Sequence, residues 1–333
     1  MDWSLVIPVL LVIPAAWPAP APLAHTYSIV ARDPATGEMG VAVQSHYFSV
    51  GPIVPWAEAG VGAVATQSLV LVDYGPRGLD LMRAGMTAQQ ALDSLIRADP
   101  NPDVRQVAMV DAHGNVASHT GPKCIPDAGH HAGNQYSAQA NLMSNDRIWP
   151  AMSAAFEKAQ GDLAERMLQA LEAAEKAGGD IRGKQSAAIL IVRAQSTGKP
   201  WADRIMDLRV EDSDDPLREL RRLVRLRRAY NLEDQGDNFI AEKKPDEALK
   251  AYEQASKLAP DVTELKFWAA VSMYTNGREG EALKLFRVVF AHETRWVDLV
   301  PRLARVGLFP DDPKKIEEVQ RQAGHDRPAL RKR

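Results

Sequence analysis

The sequence is poor in the features that define several classes of protein. It has one cysteine, Cys124, in 333 residues, so an intramolecular disulfide and a zinc site built on several thiolates are both excluded. Its charges nearly cancel, with 40 Lys and Arg against 43 Asp and Glu. A chain without a basic excess has no general electrostatic attraction for nucleic acid. We therefore expect neither a disulfide-rich module nor a nucleic-acid-binding protein.

The sequence also lacks an apolar segment long enough to cross a membrane. The long apolar run near its start covers residues 5–13, whereas a membrane helix needs about 20 apolar residues. A run of this length, followed by small residues that end at Ala24, is typical of a secretory signal peptide. Residues 1–4 contain no Lys or Arg, which leaves a cytoplasmic protein with a disordered leader or a misassigned start as the alternative. We predict a signal peptide over residues 1–24, a periplasmic or secreted protein, and no integral membrane span.

Familiar catalytic and cofactor motifs are missing as well. There is no Walker loop, no Gly-x-Ser-x-Gly and no His-Glu-x-x-His, and the eight histidines show no zinc-ligand spacing. Cys124 follows Lys123, so it is either a nucleophile of lowered pKa or a small buried thiol. We expect no metal and no cofactor.

Between residues 26 and 210, short β-rich segments alternate with helical ones. The strand predicted over residues 186–193 is apolar on both faces, so both of its faces must be covered. Two stacked sheets with helices outside satisfy this requirement. The other predicted strands cover residues 27–31, 39–45, 61–67, 106–111, 115–119 and 136–140, and the predicted helices cover residues 74–84, 87–98, 146–158 and 163–176.

The region after residue 212 is predicted to be helical. Asp215 before Pro216 is a good helix start, and we predict a connecting helix within residues 213–230. Its six arginines are either a nucleic-acid stripe or the solvated side of a helix whose apolar face carries Leu217, Leu220 and Val224.

A repeat follows the connecting helix. Glu-Ala-Leu-Lys occurs at residues 247–250 and again at residues 281–284, and this offset of 34 residues is the tetratricopeptide period. The first unit also places Gly236, Ala248 and Tyr252 where that pattern requires them. We predict two tetratricopeptide-like repeats over residues 231–296 that hold a protein partner. A capping helix and a basic tail over residues 297–333 complete the predicted organisation.

Thr26 is the most notable candidate for a catalytic residue. It begins the first predicted strand, just after the predicted signal peptide. If processing frees its amine, one residue holds both a hydroxyl nucleophile and a base, because an α-amino group has a pKa of about 7.7 to 8.0. Any exported protein can begin near a threonine, so the position alone leaves this interpretation open.

A family resemblance bears on this question. Residues 26–43, from Thr26 to Val43, resemble the opening of the bacterial and archaeal family called domain of unknown function 1028. Residues 54–57, 60–67, 121–126, 136–141, 178–188 and 215–220 resemble later segments of the family in the same order. By resemblance the family belongs to the N-terminal nucleophile (Ntn) hydrolases. The resemblance thus implies an α+β fold, a four-layer α-β-β-α sandwich over residues 25–212, followed by the all-α helical-repeat domain.

The resemblance implies that Thr26 lies where such hydrolases place their nucleophile. We further expect strand-edge N–H groups and Asn141 to stabilise the oxyanion, and Asp180, Arg182 and Gln185 to orient the N-terminus. Residues 178–185 have an alternative interpretation as a turn with positive φ at its glycines and a local Asp180–Arg182 pair. The leading hypothesis is a hydrolase of amide or peptide bonds. The alternative is a non-catalytic periplasmic interaction or scaffold protein.

Overall fold

The computed structural model describes residues 23–24 and 26–324. The predicted signal-peptide core at residues 5–13 and the end of the basic tail, residues 325–333, lie outside these described residues. The chain divides into two compact units, Met1–Arg204 and Ile205–Arg333. A mixed α and β region with antiparallel sheets is thus followed by an all-helical region.

The α and β region contains two sheets. Its strands are β1 (Leu23–Ala24), β2 (Thr26–Arg32), β3 (Met39–Ser45), β4 (Pro55–Glu58), β5 (Gly62–Leu69), β6 (Arg105–Asp111), β7 (Val116–Thr120), β8 (Gly129–Gly133), β9 (Tyr136–Ala140), β10 (Ser186–Val192) and β11 (Arg204–Val210). One sheet has the order β1-β5-β6-β7, with β4 also paired to β5, and the other has the order β11-β10-β3-β2-β9-β8. In the second sheet Ser45 of β3 lies opposite both Thr26 of β2 and Ser186 of β10.

The two sheets share a buried apolar core. Val30 and Val43 of one sheet pack in the same cluster as Ala65 and Val110 of the other. Every residue of β10 is buried, which confirms the prediction that both of its faces are covered. Arg193 is exposed and lies outside the strand, so β10 ends one residue earlier than predicted.

Helices pack on both sheets. They are α1 (Tyr74–Arg83), α2 (Ala88–Ala98), α3 (Ile148–Lys158) and α4 (Leu163–Lys176). The first two bury Tyr74 and Leu92 with Val64 and Met109 of the first sheet. In the second sheet, the ring of Tyr136 packs on Phe156 of α3, with 4.7 Å between the ring centroids.

Local sequence signals explain several of these boundaries. Thr87 caps α2 by accepting a hydrogen bond from the Gln90 backbone N–H, and the Gln90 side chain accepts one from the Thr87 N–H in return. Gly178 and Gly179 follow α4 with φ of 130° and 61°, as the turn interpretation of this segment predicts. Four strands, β1, β4, β8 and β11, were not among the predicted ones.

After β11, the described residues of the second unit are helical. The helices are α5 (Pro216–Ala241), α6 (Pro245–Leu258), α7 (Thr263–Thr275), α8 (Glu279–His292), α9 (Val300–Arg305) and α10 (Pro313–Gln320). Ala248, Phe267 and Phe286 are fully buried in one cluster. Within the described residues, no helix is long and apolar enough to cross a membrane.

The first helix of this unit is longer than predicted. It continues without a break past residue 230, because the segment up to Ala241 contains no proline and its one glycine, Gly236, lies inside the helix. A Cβ at Gly236 would come within 2.4 Å of the Tyr252 ring, so the glycine permits close approach of α6.

The arginines of α5 lie on its polar side. Leu217, Leu220 and Val224 are buried, as the apolar-face interpretation predicts. Arg222 donates a hydrogen bond of 2.6 Å to Glu219, and Arg225 donates one of 2.7 Å to Asp261. These arginines therefore pair with carboxylates along the helix surface.

Candidate active site

Thr26 lies where the chain passes from one sheet to the other. Ala24 belongs to β1 and pairs with Ser68 of β5, whereas Thr26 opens β2 in the second sheet, opposite Ser45. The Thr26 side chain is completely buried. The predicted nucleophile therefore begins a strand, as expected, and lies in the space between the two sheets.

The Thr26 hydroxyl has two close oxygen neighbours. Its Oγ1 donates a hydrogen bond to the backbone carbonyl of Ala24 over 2.8 Å and lies 3.1 Å from the Ser45 hydroxyl. Ser45 was not predicted as a site residue. As the only side chain found bonded to this hydroxyl among the described residues, it can orient the Thr26 oxygen or exchange a proton with it.

The carbonyl oxygen of Thr26 is held by three donors. The Gln67 side-chain amide donates over 3.0 Å, the Asn141 backbone N–H over 3.1 Å and the Asn141 side-chain amide over 3.4 Å. The Asn141 amide also donates to Gln106 Oε1 over 2.9 Å. These contacts place Asn141 beside Thr26, where its backbone N–H and its side-chain amide both donate to the Thr26 carbonyl.

A network of buried polar side chains surrounds these contacts. The Gln67 amide also donates to Gln106 Oε1 over 2.7 Å, and Ser28 donates to Gln67 Oε1 over 2.6 Å. The Gln139 amide donates to Ser28 and to the Ala65 carbonyl. All four side chains are fully buried. Because buried polar groups cost free energy unless they are hydrogen-bonded, a polar layer inside an otherwise apolar core is a candidate functional site.

The predicted loop residues reach the same end of the second sheet. The Gln185 backbone N–H donates to the Ser45 carbonyl over 3.0 Å, and the His46 backbone N–H donates to Asp180 Oδ2 over 3.4 Å. Asp180 and Arg182 form an ion pair of 2.7 Å in which the Asp180 carboxylate is buried. The fold thus gathers Thr26, Asn141, Asp180, Arg182 and Gln185 around the end of β3, while the ion pair itself is the local pair of the turn interpretation.

Two unusual backbone conformations flank the polar network. Ser68 follows Gln67 with φ of 75°, and Leu142 follows Asn141 with φ of 59°. Positive φ is strained for residues with a side chain and is concentrated at functional sites. In this structure the positive φ changes the direction of the backbone directly after Gln67 and Asn141, the two residues whose amides hold Thr26.

Cys124 has the properties of a structural thiol. It is buried, and its Sγ donates to the Arg105 carbonyl over 3.3 Å. Burial raises the pKa of the thiol above its usual value, which is opposite to the change that a nucleophilic cysteine needs. The small buried thiol is therefore the correct one of the two interpretations.

Two of the described histidines form side-chain hydrogen bonds to loops and strands. His119 Nε2 lies 2.9 Å from the Pro102 carbonyl, and His130 Nδ1 lies 2.8 Å from the Thr120 hydroxyl. Burial lowers the pKa of His130. Over residues 23–24 and 26–324, no group of three or more His, Cys, Asp or Glu side chains is arranged to hold a metal ion.

Sequence reasoning missed three residues from other strands that lie around Thr26. Ser45 and Gln67 lie near the ends of strands whose preceding inward positions, such as Val43 and Ala65, are apolar. Gln106 lies at the start of β6, where the inward positions that follow it are apolar. The sequence did contain a signal, because side chains alternate along a strand and these polar residues fall on its inward face. The sequence does not show which strands pair, and it is this pairing that brings the three polar residues together.

Comparisons with known proteins identify the family of the α and β region. A family model described as "Family of unknown function (DUF1028)" matches residues 26–220. A crystal structure of the Silicibacter pomeroyi protein SPO2555, assigned to DUF1028, is similar with a TM-score of 0.55 and 28% sequence identity, covering 60% of this chain and 88% of that protein. A search of curated proteins gives no significant match. Since the family model covers more than half of its length, the chain belongs to the DUF1028 family.

Proposed function

We propose that the α and β region is a hydrolase of amide or peptide bonds, of the Ntn type with its four-layer sandwich, in which Thr26 is the nucleophile. The observation that carries the proposal is the setting of Thr26. Thr26 is the first residue of β2, and its buried hydroxyl lies between the two sheets, beside Ser45 and next to a layer of amide side chains. No cofactor is needed for this chemistry.

In the proposed reaction the residues preceding Thr26 are removed first. The Thr26 hydroxyl then attacks the carbonyl carbon of the scissile amide while its proton passes to the free α-amine. The protonated amine returns that proton to the leaving nitrogen as the carbon–nitrogen bond breaks, leaving an ester on Thr26. Water, activated by the same amine, cleaves the ester, releases the acid and restores the hydroxyl.

Other residues would prepare this arrangement. Gln67 and Asn141 hold the Thr26 carbonyl, so they fix the direction in which its hydroxyl points. Ser45 fixes the hydroxyl itself. Asp180, Arg182 and Gln185 lie at the strand end where a new α-amine would need neighbours.

Removal of the preceding segment would also open the site. In the described structure Ala24 occupies a position beside Ser68 of β5 and accepts the bond from Thr26 Oγ1. Cleavage before Thr26 would leave this position to an extended substrate, which could pair with the freed backbone groups at Ser68 and Leu69. Processing would then activate the enzyme in two ways at once.

The second candidate function is partner binding by the helical unit, with or without catalysis. What favours it is the 34-residue spacing, together with four successive helices whose contacts are lined by small residues. Gly236 contacts the Tyr252 ring, and Ala248 and Ala282 are fully buried. These features support two tetratricopeptide-like repeats, a type of array that commonly holds a partner.

The hydrolase proposal is tested with a chain released so that it begins at Thr26. We expect it to cleave at least one member of a panel of peptide and arylamide substrates, and we expect Thr26→Ala to abolish the cleavage. Thr26→Ser should keep part of it because its Oγ remains, and Thr36→Ala, at an exposed turn, should keep all of it. If Thr26→Ala cleaves at the rate of the unmodified chain, Thr26 is not the nucleophile.

A further inference from the structure

A cavity in the helical unit has an acidic lining that the hydrolase proposal does not use. Its volume is about 550 Å³. It lies between α5, α7 and the segment after α9, and no lysine or arginine among the described residues contributes to its wall. The lining residues are Glu233, Asp237, Ile240, Ala241, Trp268, Val271, Ser272 and Leu308.

Glu233 is the unusual member of this lining. Its exposed fraction is 8%, yet within the described residues it accepts no hydrogen bond and forms no ion pair. Burial, followed by the charges of Asp237, Glu264 and Asp234, raises its pKa to about 7. Most of the side chain is buried, but its carboxylate oxygens are not fully buried, so they remain open to the cavity, where a cation could pair with them.

The neighbouring carboxylates are held in place by neutral donors. Asp237 accepts a hydrogen bond of 2.7 Å from the Tyr252 hydroxyl, and Glu264 accepts one of 3.0 Å from the Tyr230 hydroxyl. These bonds orient the carboxylates without neutralising them. The cavity therefore keeps a negative potential that a cation would satisfy.

The rest of the wall is apolar. Trp268, Val271 and Ile240 line it together with Leu308, which is 57% exposed. An indole face attracts a cation through its π-system, and aliphatic side chains pack well against a hydrocarbon stem. This combination fits a long side chain that carries a positive charge at its end.

We propose that this cavity binds an arginine side chain presented by an extended peptide segment of a protein partner. Glu233 and Asp237 are four residues apart on α5, so they share one face of the helix and can each accept from a planar guanidinium. Trp268 and Val271 would contact its stem. The inference narrows the partner-binding function and does not depend on hydrolysis by Thr26.

The test is isothermal titration calorimetry of the full chain with three blocked pentapeptides. The first is acetyl-Ala-Leu-Arg-Leu-Ala-amide, the second has citrulline in place of arginine, and the third has glutamate. We expect the arginine peptide to bind at least tenfold more tightly than the citrulline peptide, which has the same shape without the charge. We also expect its affinity to fall as sodium chloride is raised.

Two variants distinguish binding in the cavity from general electrostatic attraction and from an effect of unfolding. Glu233→Gln should weaken the arginine peptide at least tenfold while keeping or raising the melting temperature. Glu253→Gln removes the same charge from an exposed position outside the lining and should change the affinity less than twofold.

Four results would overturn the inference. Three are equal binding of the arginine and citrulline peptides, unchanged binding by Glu233→Gln, and no binding of any of the three peptides. The fourth is preference for the glutamate peptide, which would leave partner binding by the helical unit in place.

Discussion

At the scale of single residues, amides rather than charges hold the candidate active site together. Thr26 is fixed through its carbonyl by Gln67 and Asn141, and both amides converge on Gln106. Neutral donors of this kind can orient a hydroxyl without adding a charge that would change the pKa of a nearby α-amine. Such a frame suits a nucleophile whose base is its own amine.

Ser45 offers a direct test of that frame. Because its hydroxyl lies 3.1 Å from Thr26 Oγ1, we expect Ser45→Ala to lower kcat about tenfold to a hundredfold, corresponding to one lost hydrogen bond. The melting temperature should change little. Ser94→Ala, on α2, serves as the control, and a kcat for Ser45→Ala equal to that of the control would show that Ser45 does not orient the nucleophile.

Glu233 makes stability depend on pH in the helical unit. Its pKa is about 7 in the folded chain, against an ordinary value of 4.5. Between these values the folded state binds more protons than the unfolded state, so the free energy of unfolding falls as pH rises through this window. The loss should reach about 1 to 2 kcal/mol at pH 8, after allowance for screening by solvent.

The expected loss is measured by urea denaturation at pH 5 and pH 8. Glu233→Gln has no titrating carboxyl, so it should be more stable than the unmodified chain at pH 8 and lose less stability between the two values. Glu253→Gln should behave like the unmodified chain. An identical pH dependence in all three proteins would show that Glu233 titrates normally.

At the scale of elements, helices α5 and α6 approach closely because Gly236 of α5 has no side chain to collide with the Tyr252 ring of α6. A Cβ at Gly236 would meet the Tyr252 ring at 2.4 Å, whereas Gly280 in α8 has open space around it. The Tyr252 hydroxyl is in turn anchored to Asp237. The ring therefore has little room to move away from a larger residue.

These two glycines give a matched pair of substitutions. Alanine favours a helix over glycine by about 0.8 to 1 kcal/mol, so Gly280→Ala should raise the free energy of unfolding by up to that amount. Gly236→Ala should instead lower it by about 1 to 3 kcal/mol through overpacking. Chemical denaturation of both variants measures the contrast, and a stabilised Gly236→Ala would contradict the close contact.

The sequence predicted elements well where one strong pattern spans them. The bounds of β3, β9 and α4 agree with those of the structure, because each has a clear hydrophobic period or a cap. The prediction missed β4, which begins at Pro55, and β8, which has glycine at both ends and histidines between them. Residues with low strand propensity formed these strands because neighbouring strands supply the pairing.

Prediction of the site had a similar limit. Thr26, Asn141 and the loop of Asp180 were identified by family resemblance, and the fold brings them together. Ser45, Gln67 and Gln106 were missed because their role arises from pairing between strands that are distant in sequence. Arg182 was expected to orient the N-terminus, and its pair with Asp180 is compatible with both that role and a structural turn.

At the scale of the whole molecule, the chain combines a DUF1028 region with a helical unit of different character. In our account the first carries the chemistry and the second selects a partner, in a protein that we expect to be exported. In this account processing before Thr26 would link export to activity, because removal of the leader and of His25 would both create the base and clear the position that Ala24 occupies.

The central claim is tested most directly by the intact mass and N-terminal sequence of the protein purified from its native host, with its amide hydrolysis measured on the same sample. Our account predicts a mature chain that begins at Thr26. It also predicts that the activity decreases as the pH is lowered below the α-amino pKa of about 7.7 to 8.0. A purified chain that retains His25 and still shows hydrolysis dependent on Thr26 would contradict the mechanism, since an amide nitrogen cannot act as the base.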